Sequence, residues 1–263
     1  QNVEKLKSLG YEFISPASGR LACGDYGEGK LADPSDIVDY VVNSLTNDEL
    51  KGKKIVITAG PTIEPLDPVR YMTNFSSGKM GYALAEEAKK RSGEVVLITG
   101  PTSLAPPSGI KVVEVKTTMD MYKAVESEFD DCDILIKSAA PLDYRPEKVS
   151  DQKIKKGNED LTINYVRNPD IVAHFGNVKK DQIVIGFAAE TESLLENAKK
   201  KIKSKNLDFI VANDVSQENA GFRTDNNTAT LVYENGDIKD LPNMSKRDLS
   251  KIILDEVTSL LKK

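Results

Sequence analysis

The sequence has no tryptophan, one histidine and two cysteines in 263 residues. Two cysteines, Cys23 and Cys132, cannot build a disulfide framework and point to a reducing, cytoplasmic setting. A single histidine, His174, excludes multi-histidine metal sites and leaves no spare imidazole for a catalytic triad. Chemistry must then run on Lys, Asp, Asn, Ser, Cys or a bound cation. No apolar run approaches the ~20 residues that span a bilayer. Residues 1–10 are polar and lack the apolar segment of a secretory leader. A large charge of one sign is also missing: 36 Lys and Arg against 41 Asp and Glu leave −5. That balance lacks the basic face that generic nucleic-acid binding needs. The chain opens on Gln1 rather than Met, which reads as a fragment or a processed end.

What is present is an ordinary globular composition, 39% hydrophobic and 29% charged, enough for a sizeable core. The first ~50 residues differ from the rest in their turn signals. Residues 15–29, SPASGRLACGDYGEG, read as a glycine-rich loop. Pro34, Ser35 and Asp36 then open a short helix, and residues 46–53 read as a linker. From Lys53 onward, short β-branched runs alternate with helical periodicity. Strands are expected at 53–58, 94–98, 111–115, 133–138, 182–188 and 208–212. Helices are expected at 78–91, 118–129, 169–175 and 193–205. This alternation predicts an α/β fold: a doubly wound, Rossmann-like, mostly parallel sheet with helices on both faces. Residues 228–233 and 238–241 flank Gly236-Asp237 as a small β-hairpin extension, and Ser245 can cap a closing helix. Cys132 reads as a small core residue and His174 as structural.

The segment richest in chemistry is residues 60–81, GPTIEPLDPVRYMTNFSSGKMG. It leaves the end of the first strand, where doubly wound sheets bind ligands. Ser76, Ser77, Gly78 and Lys79 at a helix start offer hydroxyls, free N–H groups and a cation, which suit phosphate. A plain N-terminal turn with a solvated lysine fits as well. The glycine spacing matches neither the dinucleotide fingerprint nor the Walker loop. Lys153, Ile154, Lys155 and Lys156 form a basic run in a polar stretch. Taken alone, that run reads as a solvated charge cluster.

The runs DPVRYMTNFSSGKMG, SAAPLDYRP, KIKK, VRNPDIVAHF, GFAAET, KNLDFIVANDVS and TDNN, in this order, closely resemble phosphopantothenoylcysteine synthetase over residues 53–263. PASGRLACGDYGEGKL resembles the active-site flap ending its partner domain, a flavin-dependent decarboxylase. The resemblance implies a truncated bifunctional protein, with residues 1–50 from the decarboxylase and 51–263 forming the ligase. It implies a two-step reaction: CTP activates the carboxylate of 4'-phosphopantothenate as an acyl-cytidylate, then the cysteine amine forms the amide. Mg²⁺ is implied with the phosphates, FMN only in the decarboxylase body, and a homodimer in solution. The hairpin near 228–241 is a candidate interface, because its edge would otherwise stay unpaired.

Site roles follow from the same resemblance. Lys153 is tied to forming the intermediate and Asn74 to converting it, and Cys23 is the proton donor of the decarboxylase half. Lys137, Ser138, Ala139, Asp143, Pro169, Asp170, Ile171, Val172, Phe187, Lys201 and Lys205 match nucleotide positions. Arg70 and Ala140 join Asn74 at the acyl substrate, and Arg70 has a structural ion pair as its alternative. Asn74 and Asp143 could equally hold turns, Phe187 could simply pack in the core, and Lys201 with Lys205 could serve a helix C-terminus. Cytosine preference comes from the resemblance alone. An ATP-dependent ligase, an NAD(P)-binding oxidoreductase and a non-catalytic nucleotide-binding module are the alternative readings. Neither nucleic acid nor a membrane is an expected partner.

Overall fold

The computed structural model describes residues 2–20, 26–44, 48–156, 160–190, 194–214 and 224–262. Its contacts divide the chain into two units, Gln1–Asn47 and Asp48–Lys263. The first unit holds helix α1 (Asn2–Ser8), strands β1 (Ala17–Arg20) and β2 (Tyr26–Lys30), and helix α2 (Pro34–Ser44). β1 and β2 pair antiparallel, with Gly19 opposite Gly27. The loop expected at 15–29 is therefore a ribbon in part. Glycine-rich strands carry no side-chain alternation from which to read them. Cys23 lies outside the described residues.

The second unit starts earlier than the linker reading allows. Residues Asp48–Leu50 form a 3₁₀ turn, Leu50 is fully buried, and its N–H donates to Arg91 O at 2.9 Å. Strand β3 (Lys54–Ala59) leads into a small antiparallel ribbon, β4 (Ile63–Pro65) with β5 (Tyr71–Thr73), and then helix α3 (Lys79–Lys90). β6 (Glu94–Thr99) and β7 (Lys111–Glu114) precede α4 (Thr118–Phe129). β8 (Ile134–Lys137) is followed by a second ribbon, β9 (Tyr144–Pro146) with β10 (Tyr165–Arg167), and by α5 (Ile171–Val178). β11 (Ile183–Glu190), α6 (Leu194–Lys205), β12 (Phe209–Asp214), β13 (Asn226–Tyr233), β14 (Ile238–Ser245) and α7 (Lys246–Leu261) complete the chain.

Eight strands form one sheet in the order β14-β13-β12-β11-β8-β3-β6-β7. The six from β12 to β7 run parallel, and β13 and β14 join antiparallel. Numbered along the chain, the parallel strands take the order 3-2-1-4-5-6, and the winding reverses between β3 and β8. Side chains alternate across the pleat, so each strand feeds two cores. Ile55 and Ile57 pack with Leu84 of α3 and Ile253 of α7, while Val56 packs with Met121 of α4 and Phe175 of α5. Burial on both faces is why these strands read as unbroken apolar runs.

Three of the helix starts are set by side-chain caps. Thr117 and Asp120 form a reciprocal capping box on α4, Asp170 accepts from Ala173 N–H on α5, and Ser245 accepts from Asp248 N–H on α7. His174 is exposed on α5, its ring 5.2 Å from that of Tyr122. Cys132 is buried.

Candidate active site

The carboxyl ends of β8, β11 and β12 and the segment leading into α3 open into one cavity of about 340 Å³, within the usual range for a small-molecule site. It straddles the sheet edge. On the α3–α7 side it is lined by Asn74, Ser76, Ser77, Gly78 and Lys79, with Phe187 on the same face. On the α5–α6 side lie Lys137, Pro169, Asp170, Ile171, Val172, Lys201 and Lys205. Ser138, Ala139, Ala140 and Asp143 line the cavity between them.

Backbone contacts build the centre. Ala139 N–H donates to Thr58 Oγ1 at 3.2 Å and Ala140 N–H to Gly60 O at 2.9 Å, stitching the β8 loop to the end of β3. Asn168 Nδ2 donates to Leu142 O (2.9 Å) and Glu64 Oε1 (3.0 Å), which locks the turn ahead of Pro169. Gly78 precedes α3 with φ of 81°, a left-handed conformation that favours glycine. A Cβ there would also lie 3.0 Å from the Thr102 methyl.

Lysines dominate the charge. Lys137 is half-buried at the end of β8, and burial brings its ammonium down to about 8, with Lys205 adding to the effect. Lys205 Nζ pairs with Asp170 Oδ2 at 2.8 Å. Burial alone would push the Asp170 carboxyl up, but Lys205 and the Ala173 N–H hold it below the usual range. Lys79 Nζ pairs with Asp225 Oδ1 at 2.6 Å, so its cation is shared with an acid the sequence reading did not consider.

This chain matches the family described as DNA/pantothenate metabolism flavoprotein C-terminal domain over residues 50–261. The chain belongs to that family. Residues 1–46 match a second family, described as Flavoprotein. The chain is 46% identical to the coenzyme A biosynthesis bifunctional protein CoaBC of Bacillus subtilis (strain 168), over 100% of this chain and 66% of that protein. The same identity holds to CoaBC of Escherichia coli (strain K12), over 98% of this chain and 64% of that protein. The chain thus spans slightly less than two thirds of the length of these relatives. A crystal structure of the C-terminal domain of a CoaBC protein superimposes with a TM-score of 0.71 at 41% identity, covering 82% of this chain and 99% of that one.

In this flavoprotein C-terminal domain, two expected site residues lie outside the cavity lining. Arg70 donates through Nε (3.0 Å) and Nη2 (2.6 Å) to Asp67 Oδ2, so it forms the structural ion pair rather than facing the cavity. Lys153 is exposed on a loop beside that pair. Asn74 does line the cavity, but its Nδ2 donates to Ala140 O at 2.9 Å and Pro141 O at 3.3 Å. The amide expected to face an acyl oxygen is thus engaged with the loop that forms the cavity wall. Phe187 is half-buried and packs against the α3–α7 core while lining the cavity.

Sequence reasoning missed Gly186, Asn213, Asn227 and Lys246, all in the lining. Asn227 Nδ2 donates to Asn213 Oδ1 at 3.0 Å, and buried Lys246 donates to Thr224 O at 2.5 Å. Burial, then the charge of Lys79, lowers the Lys246 ammonium. Gly186 carried a readable signal, a glycine inside a strand. The other three looked like ordinary strand ends and a helix start.

Proposed function

We propose that the second unit ligates 4'-phosphopantothenate to cysteine at the expense of CTP. The observation that carries this reading is the single cavity, which gathers Asn74, the Ser76–Lys79 turn, the β8 loop, the α5 start and two α6 lysines. Those segments lie far apart in the chain, and the reading needs them together.

In the first step the substrate carboxylate attacks the α-phosphorus of CTP. A P–O bond forms, the bond to the β-phosphate bridge breaks, and pyrophosphate leaves with the bonding pair. Carboxylate and triphosphate repel, so the site must neutralise charge and fix geometry. Lys137, Lys201 and Lys205 supply cations on one side of the sheet edge, and Lys79 with the α3 start supplies them on the other. Lys153 would add its charge from the neighbouring loop. In the second step the cysteine amine attacks the acyl carbon, CMP leaves with the C–O bonding pair, and the amine loses a proton. Asn74 holds the Ala140–Pro141 wall against which the acyl group would lie.

Among the described residues, no three His, Cys, Asp or Glu side chains form a metal cage. A phosphate-borne Mg²⁺, which keeps several waters and needs few protein ligands, would fit such a site, with Asp143 as a carboxylate at the cavity beside Asp170, which is paired with Lys205. Such an ion would neutralise part of the triphosphate charge. Residues 1–46 are read as the tail of a decarboxylase half in which Cys23 donates a proton. FMN is assigned to the body of that half rather than to this tail.

The reading includes a cytoplasmic homodimer; among the described residues no helix is long and apolar enough to cross a membrane. Val69, Tyr71, Tyr144 and Tyr165 are exposed on or beside the two contacting ribbons, which supports that face as the contact. Among the described residues of the β13–β14 hairpin, expected as the interface, Ile238 is the one large apolar side chain exposed.

The deciding experiment is pyrophosphate release with phosphopantothenate, Mg²⁺ and either CTP or ATP, with and without cysteine. Release that needs phosphopantothenate and prefers CTP supports the reading. Release with ATP alone keeps the ligase and overturns the cytosine assignment, and no release from folded protein removes the ligase.

A further inference from the structure

We infer that Asp67 and Arg70 are positioning residues for Lys153, clamping its loop to the β4–β5 ribbon so that the first half-reaction can proceed. The inference rests on the ligase reading above.

Three contacts join residues 150–154 to the ribbon's turn. Ser150 N–H donates to Leu66 O at 3.0 Å. Ile154 N–H donates to Asp67 Oδ2 at 3.1 Å, and Arg70 Nη2 donates to Ile154 O at 2.8 Å. The Asp67–Arg70 pair thus takes both backbone polar groups of Ile154, as a neighbouring strand would. The N–H of Ile154 belongs to the peptide plane shared with Lys153, and its carbonyl to the plane shared with Lys155. Both planes are fixed, while both lysine ammoniums remain exposed.

The clamp is itself well built. Asp67 has no exposed side-chain surface. Its other oxygen accepts from Val69 N–H and Arg70 N–H, both at 2.8 Å. The Arg70 guanidinium and these N–H donors hold its carboxyl well below the usual carboxylate range. A buried carboxylate stays charged only when so paired, and removing one partner leaves it uncompensated. Stapling the turn needs only the Val69 and Arg70 amides; the bonds to Ile154 have no use there. The far end of β5 runs into Asn74. One short ribbon therefore carries the residue proposed for the second half-reaction at one end and the anchor for Lys153 at the other.

The test uses the 263-residue chain with Arg70→Lys, Arg70→Gln, Asp67→Asn and Lys153→Ala. Rapid-quench single turnovers read pyrophosphate release and, separately, amide formation from preformed acyl-cytidylate and cysteine. Losing a charge-assisted bond to Ile154 should slow pyrophosphate release by roughly thirtyfold. The KM values should stay within about threefold, since no substrate contact is lost. Amide formation should be unchanged, and trypsin should cut after Lys153 and Lys155 faster than in the parent. Asp67 is fully buried and its Asn variant carries a folding cost, so the variants at Arg70, whose side chain is 43% exposed, keep the test decisive.

Equal slowing of both half-reactions together with a lowered melting temperature would make the pair a structural staple and overturn the inference. A rise confined to the KM for phosphopantothenate would return Arg70 to substrate binding and overturn it too. If Lys153→Ala blocks pyrophosphate release while the clamp variants match the parent, only the positioning inference fails. Parental release by Lys153→Ala would take Lys153 out of the first half-reaction and overturn the inference while the ligase reading stands, whereas no release from the folded parent would fail the ligase reading itself.

Discussion

Lys137→Met should make the protein more stable and worse at binding nucleotide. Lys137 ends β8 in register with Thr58 of β3 and Gly186 of β11, so its ammonium sits over the sheet edge. Burial takes it from an ordinary lysine's 10.5 to about 8. At about 1.4 kcal/mol per tenfold change in proton affinity, charging it in the folded protein costs about 3 kcal/mol. Water in the open cavity screens part of this, so a gain of about 1–3 kcal/mol is expected on removing the charge. The sign follows from linkage. Between about 8 and 10.5 the unfolded chain holds the proton and the folded one does not, so parental stability rises with pH across that window. Below about 8 both states are protonated and the full cost applies. Urea melts of ligand-free parent and Lys137→Met at steps from pH 6.5 to 10.5 measure it. The variant should be the more stable at pH 7, with the gap closing toward pH 10.5. An anionic nucleotide favours the charged lysine, so parental affinity should fall as pH rises through about 8, while the variant binds weakly at every pH. A variant less stable than the parent at pH 7, or a parent with flat stability from pH 8 to 10.5, would refute the reasoning.

The partial reactions provide a second check: Lys153→Ala should block acyl-cytidylate formation, whereas Asn74→Asp should let it accumulate, both read by mass spectrometry of quenched mixtures. Gly100→Ala places a Cβ 1.7 Å from Pro61 O, and should lower stability by at least the ~1–3 kcal/mol of overpacking, whereas Gly236→Ala meets no atom within 4 Å and should cost only its positive-φ strain; chemical melts of the two compare them. Leu84→Ala, at a side chain with no exposed surface between α3 and the sheet, should cost about 2–5 kcal/mol by the same melts. Burial pushes the Cys132 thiol up to about 12, so in a Cys23→Ser background a disulfide reagent at pH 8 should find one reactive thiol only after unfolding.

The fold was legible wherever one periodicity ran unopposed. Residues 54–59 read as a buried strand because both faces meet apolar helices, and the helical spacing of Met121, Val125 and Phe129 made α4 readable. The three short ribbons were illegible for the opposite reason. β1–β2 is glycine-rich, and β4–β5 and β9–β10 contribute three residues per strand, too few for an alternation to show. Leu50 looked like part of a polar linker because its partner Arg91 lies 41 positions along the chain.

Local chemistry in the sequence determined the types of the longer elements, the order of strands and helices, the Ser245 cap and the family motifs. Of the residues that line the cavity, the Ser76–Lys79 turn was marked by its own chemistry, and most of the others only by the resemblance of the motifs that contain them. Tertiary structure decided what those residues face. It turned Arg70 away from the cavity and onto Asp67, paired Lys79 with Asp225, engaged the Asn74 amide with the β8 loop, and brought Lys246 to the site from the start of the last helix. The reason is that an ion pair or a cavity wall depends on distances across the sheet edge. Those distances are set by the crossover order of the strands, and no window of neighbouring residues contains them.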